Sequence, residues 1–139
     1  MPFQEKSAIA TLGALLLVYG AYFAIVGRWL AAGPVGEIAY QPLMLAAVAV
    51  LVIFAVVSQV LIAIVNPKEA SAYDERDRLI DLRSERVGGY VLAVGVFFGL
   101  VLAMGEIEHF YIAQTLLLAL VLAQISDEST KVFLYRRGR

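Results

Sequence analysis

The chain has 139 residues, 61% of them hydrophobic and 17% charged, with a net charge of −1. A soluble domain is about half apolar and about a quarter charged, so this balance argues against a water-soluble globule. The near-neutral charge gives no general attraction to nucleic acid. The absence of cysteine excludes disulfides, thiolate catalysis and Cys-based metal sites.

The apolar excess lies in four blocks free of Asp, Glu, Lys and Arg: residues 7–27, 41–65, 87–105 and 110–126. A helix of about 20 residues spans a hydrocarbon core about 30 Å thick. Helices apolar on every side need apolar surroundings, and four in so short a chain leave too little polar sequence to cover them. The expectation is an all-α fold, a four-helix transmembrane up-down bundle with spans at about 7–28, 42–65, 87–105 and 109–127. The first block carries only Lys6 ahead of a long apolar run without a clear small-x-small cleavage site, and is expected to be a retained span.

Orientation follows from the connections, because Lys and Arg concentrate on the cytoplasmic side. With the N-terminus inside, Lys6, Lys68, Arg76, Arg78, Arg83, Arg86, Lys131, Arg136, Arg137 and Arg139 are cytoplasmic. Of the 11 basic residues only Arg28 lies outside. Both termini are therefore expected in the cytoplasm, as in a bacterial inner-membrane protein. Gly33-Pro34 and Gly36 mark the first turn, and Asn66-Pro67 ends the second helix because proline cannot extend the hydrogen-bond ladder. Trp29 and Tyr40 are expected as anchors at the outer interface and Tyr135 at the inner one.

The segment from Asp74 to Arg86 lacks Gly and Pro and predicts a charged cytoplasmic helix, about 70–86, that continues into the third span. Asp74 with Arg78, and Arg78 with Asp81, stand at helical neighbour spacings. Arg83 and Arg86 have no acid three or four residues before them. A cross-hairpin pairing of Asp127 or Glu128 with Arg83 or Arg86 is therefore expected.

In lipid, close backbone approach replaces hydrophobic drive between helices. Gly13, Gly20 and Gly27 in the first span, and Gly95 and Gly99 (with Gly88) in the third, predict packing faces within the bundle or in a homo-oligomer. On a wheel of the fourth span, His109, Gln114, Gln124, Asp127, Glu128 and Lys131 fall within about 140°. Leu117, Leu120 and Val121 interrupt that sector at mid-depth. His109 and Asp127 are about 27 Å apart along the axis, close to the core thickness, which predicts two polar ends and no continuous ion path. Gln59 and Gln114 are expected to make interhelical hydrogen bonds, and Tyr19, Tyr22 and Tyr90 to pack. Glu106, Glu108 and His109, with Glu37, contain metal-ligating types, but adjacent Glu and His diverge on a helix and no second histidine exists. A solvated acidic turn is the expectation there, with no metal and no cofactor.

Phosphate-binding loops, nucleophile elbows and zinc-hydrolase signatures are all missing. Asp74-Glu75-Arg76-Asp77, Ile80 and Arg83-Ser84 resemble a signature of small predicted bacterial membrane proteins of unknown function, in which it precedes a hydrophobic hairpin. Leu134-Tyr135-Arg136-Arg137-Gly138 is similar to the C-terminus of some members. That resemblance, covering residues 67–138, supplies no active residues. It suggests a regulatory setting, since some such proteins are thought to be encoded beside small helix-turn-helix regulators.

The expected function is non-enzymatic regulation or scaffolding, with a cytoplasmic protein partner engaged through the 74–86 helix. The residues expected to meet that partner or membrane lipids are Arg76, Asp77, Arg83, Arg86, Asp127, Glu128 and Arg136. The alternatives are a small oligomeric transporter or channel lined by Gln59, Gln114, Gln124 and Asp127, and a lipid-binding accessory subunit using Arg83, Arg86 and Arg136 at phosphate depth. Direct nucleic-acid binding is not expected.

Overall fold

The computed structural model describes residues 3–34, 38–65, 67–68 and 74–138. Four long helices account for almost all of them: α1 (Phe3–Ala32), α2 (Gln41–Val65), α3 (Glu75–Met104) and α4 (His109–Arg137). The fold is all-α, with no strand among the described residues. Each helix is long and apolar enough to cross a membrane.

Three helices overrun the apolar blocks that predict them. α1 and α3 each have 30 residues and α4 has 29, about 45 Å at 1.5 Å per residue. The added turns are polar: Glu5 and Lys6 open α1, and α4 continues through Asp127 and Lys131 to Arg137. α3 joins the charged segment and the apolar span in one helix. Its start is fixed by Asp74, whose Oδ1 accepts from the Asp77 amide at 2.9 Å, while the Asp74 amide donates to Asp77 Oδ2 at 3.1 Å. This reciprocal cap satisfies two donors that a helix start otherwise leaves open. Residues 70–73 of the expected charged helix lie outside the described residues.

α3 and α4 form a tight antiparallel hairpin. The Gly105 amide donates to the Val101 carbonyl, Glu106 to Ala103 and Ile107 to Leu102. That pattern is a helix end closed by a left-handed residue, here Glu106 with φ 54°. Along the hairpin small residues replace side-chain contact with near-backbone contact. A Cβ on Gly95 would collide with Ala119, one on Gly99 would lie 2.7 Å from Leu116 Cδ2, and one on Gly88 would lie 2.9 Å from the Ala123 carbonyl oxygen.

α1 packs antiparallel on α4, as the pairs Glu5–Arg136 and Tyr22–Gln114 show. α2 packs on α1, where Gln59 Nε2 donates to Ser7 Oγ at 3.4 Å. The apolar core joins Leu15, Tyr19, Tyr22 and Val26 of α1 to Ala47 of α2 and to Phe110, Leu117 and Val121 of α4, with Tyr40 at its edge. Tyr40 is thus a core residue, its ring edge-on to Phe110 at 5.2 Å, and not the interfacial anchor expected. Trp29 is exposed.

The expected groove on α1 is not filled by another helix among the described residues. Among the described residues, no heavy atom outside the local turn of α1 lies within 4 Å of a Cβ built on Gly13, Gly20 or Gly27. The period-seven spacing places these glycines on one face, but the α1 residues that meet α2 and α4 are Leu15, Tyr19, Tyr22 and Val26.

Candidate functional site

Most charged residues among those described gather at one end, where the start of α1, the start of α3 and the end of α4 meet; Arg28, Glu106 and Glu108 lie at the other. The start of α3 is fastened to the end of α4 at several points. Tyr135 is 1% exposed, and its hydroxyl donates to Asp77 Oδ1 at 2.5 Å. Asp77 therefore serves both the helix cap and the hairpin. The Arg76 guanidinium lies against Gly138, where a Cβ would collide with it. Ile80 and Ser84, on the same side of α3, are buried, and the Ser84 hydroxyl donates to the Asp81 carbonyl at 2.9 Å. Ile80 and Asp77 lie three residues apart and Ser84 four beyond, so one helix face carries all three.

Glu5 adds α1 to this clasp. It is fully buried, and its Oε1 accepts from Arg136 Nε at 3.1 Å. A carboxylate in the first turn of α1 also suits the positive end of that helix, as Arg136 and Arg137 in the last turn suit the negative end of α4. Tyr135 is consequently a structural residue of this junction and not an interfacial anchor.

The expected pairing across the hairpin does not form. Asp127 and Glu128 instead face Lys131 on their own helix, each with an oxygen 3.7 Å from Nζ. The acid-before-lysine order at i, i+4 and i, i+3 is the favourable one. At 3.7 Å the contact is ionic but too long for a hydrogen bond, and Asp127 Oδ1 is buried without a hydrogen-bond partner. Asp81 lies within electrostatic reach of Glu128 from α3. Arg83 and Arg86 are exposed, with no ion pair to any described residue.

Of the seven residues expected to meet a partner or lipid, Arg76, Asp77, Asp127, Glu128 and Arg136 are thus occupied within the chain. Arg83 and Arg86 remain outward. The residues around Arg86 form a distinct face: Glu75, Arg78, Leu79, Leu82 and Arg86 are all exposed and fall within about 100° of helix circumference. Leu79 and Leu82 are 52% and 51% exposed. At the clasp, Asp74 is the described group whose acidity is set by local geometry. The Asp77 amide donating to it holds its carboxyl below the usual range.

The far end of the hairpin carries no comparable site. Among the described residues no group of three His, Cys, Asp or Glu side chains is arranged to hold a metal. Glu106 shapes the turn, the His109 ring stands 6.4 Å from that of Tyr40, and Glu37 lies outside the described residues. Deeper in the bundle the Tyr22 hydroxyl donates to Gln114 Oε1 at 2.9 Å, leaving the Gln114 Nε2 buried and without a partner. Gln114 and Gln124 do not join into a path, because Leu117 and Val121 on the same face of α4 are packed into the core between them. No protein-family model, curated protein or solved structure matches the chain.

Proposed function

We propose that this is a non-enzymatic regulatory or scaffolding protein of the bacterial inner membrane. It crosses the bilayer four times with both termini in the cytoplasm, and it engages a cytoplasmic protein through the outer face of α3. The membrane placement is supported by four long apolar helices whose large side chains point outward (Leu17, Leu45, Ile64, Phe97 and Met104 among them) while Glu5 and Ser84 are buried. Lipid is the surroundings that suits such an arrangement. The orientation is supported by the basic residues gathered near the clasp.

One observation carries the partner reading. Twenty residues of α3 counted back from Met104 fill the hydrocarbon core and end near Glu85. Leu79 and Leu82 then stand about 5–9 Å beyond it, exposed among Arg78, Glu75 and Arg86. Their helix is held by the clasp on its other side, so the face is presented on a rigid element. Exposed leucines ringed by charge have the composition of a protein contact. The resemblance of residues 74–84 to the signature of small bacterial membrane proteins fits this division, since Asp74, Asp77, Ile80 and Ser84 hold the clasp. The uncovered Gly13, Gly20 and Gly27 face supports self-association as a separate property.

The test compares the affinity-tagged chain with its Leu79→Asp/Leu82→Asp variant after gentle-detergent purification. The expected result is a stoichiometric cytoplasmic protein that the variant loses while remaining in alkali-washed membranes. Equal recovery with both forms would sink the proposal.

A further inference from the structure

We infer that the seam between α3 and α4 is a binding site for an anionic phospholipid of the cytoplasmic leaflet, with one acyl chain in the groove and the phosphate at Arg83. The site uses Arg83 and lies on a different face of α3 from the partner surface, which uses Arg86; it rests on the proposed membrane placement and on no residue of that surface.

The groove has a volume of about 470 Å³ and an almost wholly apolar lining. Its floor is the contact of Gly95 with Ala119, which lets the two backbones approach closely. Tyr90, Val94 and Phe98 rise on one side, and Thr115, Leu118 and Leu122 on the other. The concavity is thus a product of small residues at the contact and large ones beside it. A chain laid in it meets atoms on three sides, whereas on a flat helix it would meet them on one.

The mouth of the groove gives the occupant its charge. On α3, Arg83, Val87, Tyr90, Val94 and Phe98 fall within about 80° of circumference, so Arg83 continues the groove wall toward the cytoplasm. On α4, Ser126 and Ser129 continue the line of Thr115, Leu118 and Leu122 in the same direction, again within about 80°. Arg83 is exposed and has no ion pair to any described residue. A cation and two hydroxyl-bearing positions at one end of an apolar slot match a phosphate above a hydrocarbon chain. The depth fits a lipid of one leaflet: with the core edge near Glu85, Arg83 stands about 3 Å outside it, and the roughly 15 Å of hydrocarbon in one leaflet reaches from there past Tyr90, Val91 and Val94 to about Gly95. An apolar block of a second copy would also fit the slot, but those blocks are free of Asp and Glu and bring no anion of their own to Arg83.

The test uses the full chain in detergent, equilibrated with equal amounts of phosphatidylglycerol and phosphatidylcholine bearing the same acyl chains, and native mass spectrometry of the retained lipid. The expected result is one phosphatidylglycerol retained in preference, by about fivefold for the one arginine at the mouth. R83Q should bring the preference near unity. Val94→Trp, which fills the slot, should cut retention of both lipids, whereas Leu45→Trp on α2 should not. Equal retention of the two lipids by the native chain overturns the inference, as does a preference that survives R83Q or a Val94→Trp variant that still retains lipid. A lipid-free dimer cross-linked through Tyr90 and Leu118 would assign the groove to self-association instead. A chain that stays dissolved without detergent would remove the membrane placement itself. Loss of the cytoplasmic partner with lipid retention unchanged leaves this site standing.

Discussion

The α3–α4 hairpin and α2 are built from much the same apolar residues and are held in opposite ways. Gly88, Gly95 and Gly99 bring the hairpin helices to near-backbone contact, and Asp77–Tyr135 fastens one end of it. α2, the most apolar of the four helices, has Ala47 as its one buried residue among those described. Among the described residues it is linked to α1 by the long Gln59–Ser7 contact. Greater hydrophobicity thus accompanies weaker attachment. That ordering is the expected one where the surroundings are oil, since an apolar side chain gains little by leaving lipid for protein. Small residues and polar pairs specify the partner; apolar bulk specifies only the solvent.

The largest test of this contrast exchanges one glycine for leucine in each setting. Gly95→Leu drives a side chain into Ala119 and is expected to cost about 3 kcal/mol or more, read as loss of the folded form in a denaturation series in detergent. Gly20→Leu, where nothing lies nearby, should shift the midpoint little; equal damage at both sites would break the distinction. Tyr135→Phe removes a hydroxyl bonded to a carboxylate and should cost about 1.5 kcal/mol by the same measurement, while Tyr111→Phe, at an exposed ring, should cost almost nothing. At the turn of the hairpin, Glu106→Gly relieves a left-handed conformation unfavourable to a side chain and should stabilise by about 1 kcal/mol.

The smallest effect is a pH dependence at Asp74. Its carboxyl is held below its ordinary value by the Asp77 amide. Its contribution is therefore fully present above the unfolded pKa of about 4 and is lost as pH falls through the depressed folded value. Thermal midpoints of the native chain and Asp74→Asn should differ at pH 7 and converge at the acid end. A constant difference across that range would mean the charge of the cap is irrelevant.

Four helices are legible in the sequence because charge-free blocks of that length leave few other structures available. Their ends are less legible. Charge marks where an apolar run stops, not where hydrogen bonding stops, so Glu5, Lys6 and the residues from Asp127 to Arg137 remain helical beyond their apolar blocks. The packing face of α1 misleads for a related reason: Gly13, Gly20 and Gly27 carry a regular period, but period alone does not say whether a neighbour arrives. The Lys131 pairs stand at ordinary helical spacing and could have been read from sequence. Arg83 and Arg86, with no acid three or four residues before them, point across the hairpin instead. The Glu5–Arg136 bond has no local signature at all, because its partners are brought together by tertiary packing.

That bond also orders events during synthesis. Glu5 and Arg136 are separated by 131 positions, and a ribosome adding about 5–20 residues per second needs roughly 7–26 s to pass from one to the other. α1 must therefore enter its surroundings well before its buried carboxylate can meet this arginine. The junction between them completes only after α4 has been made.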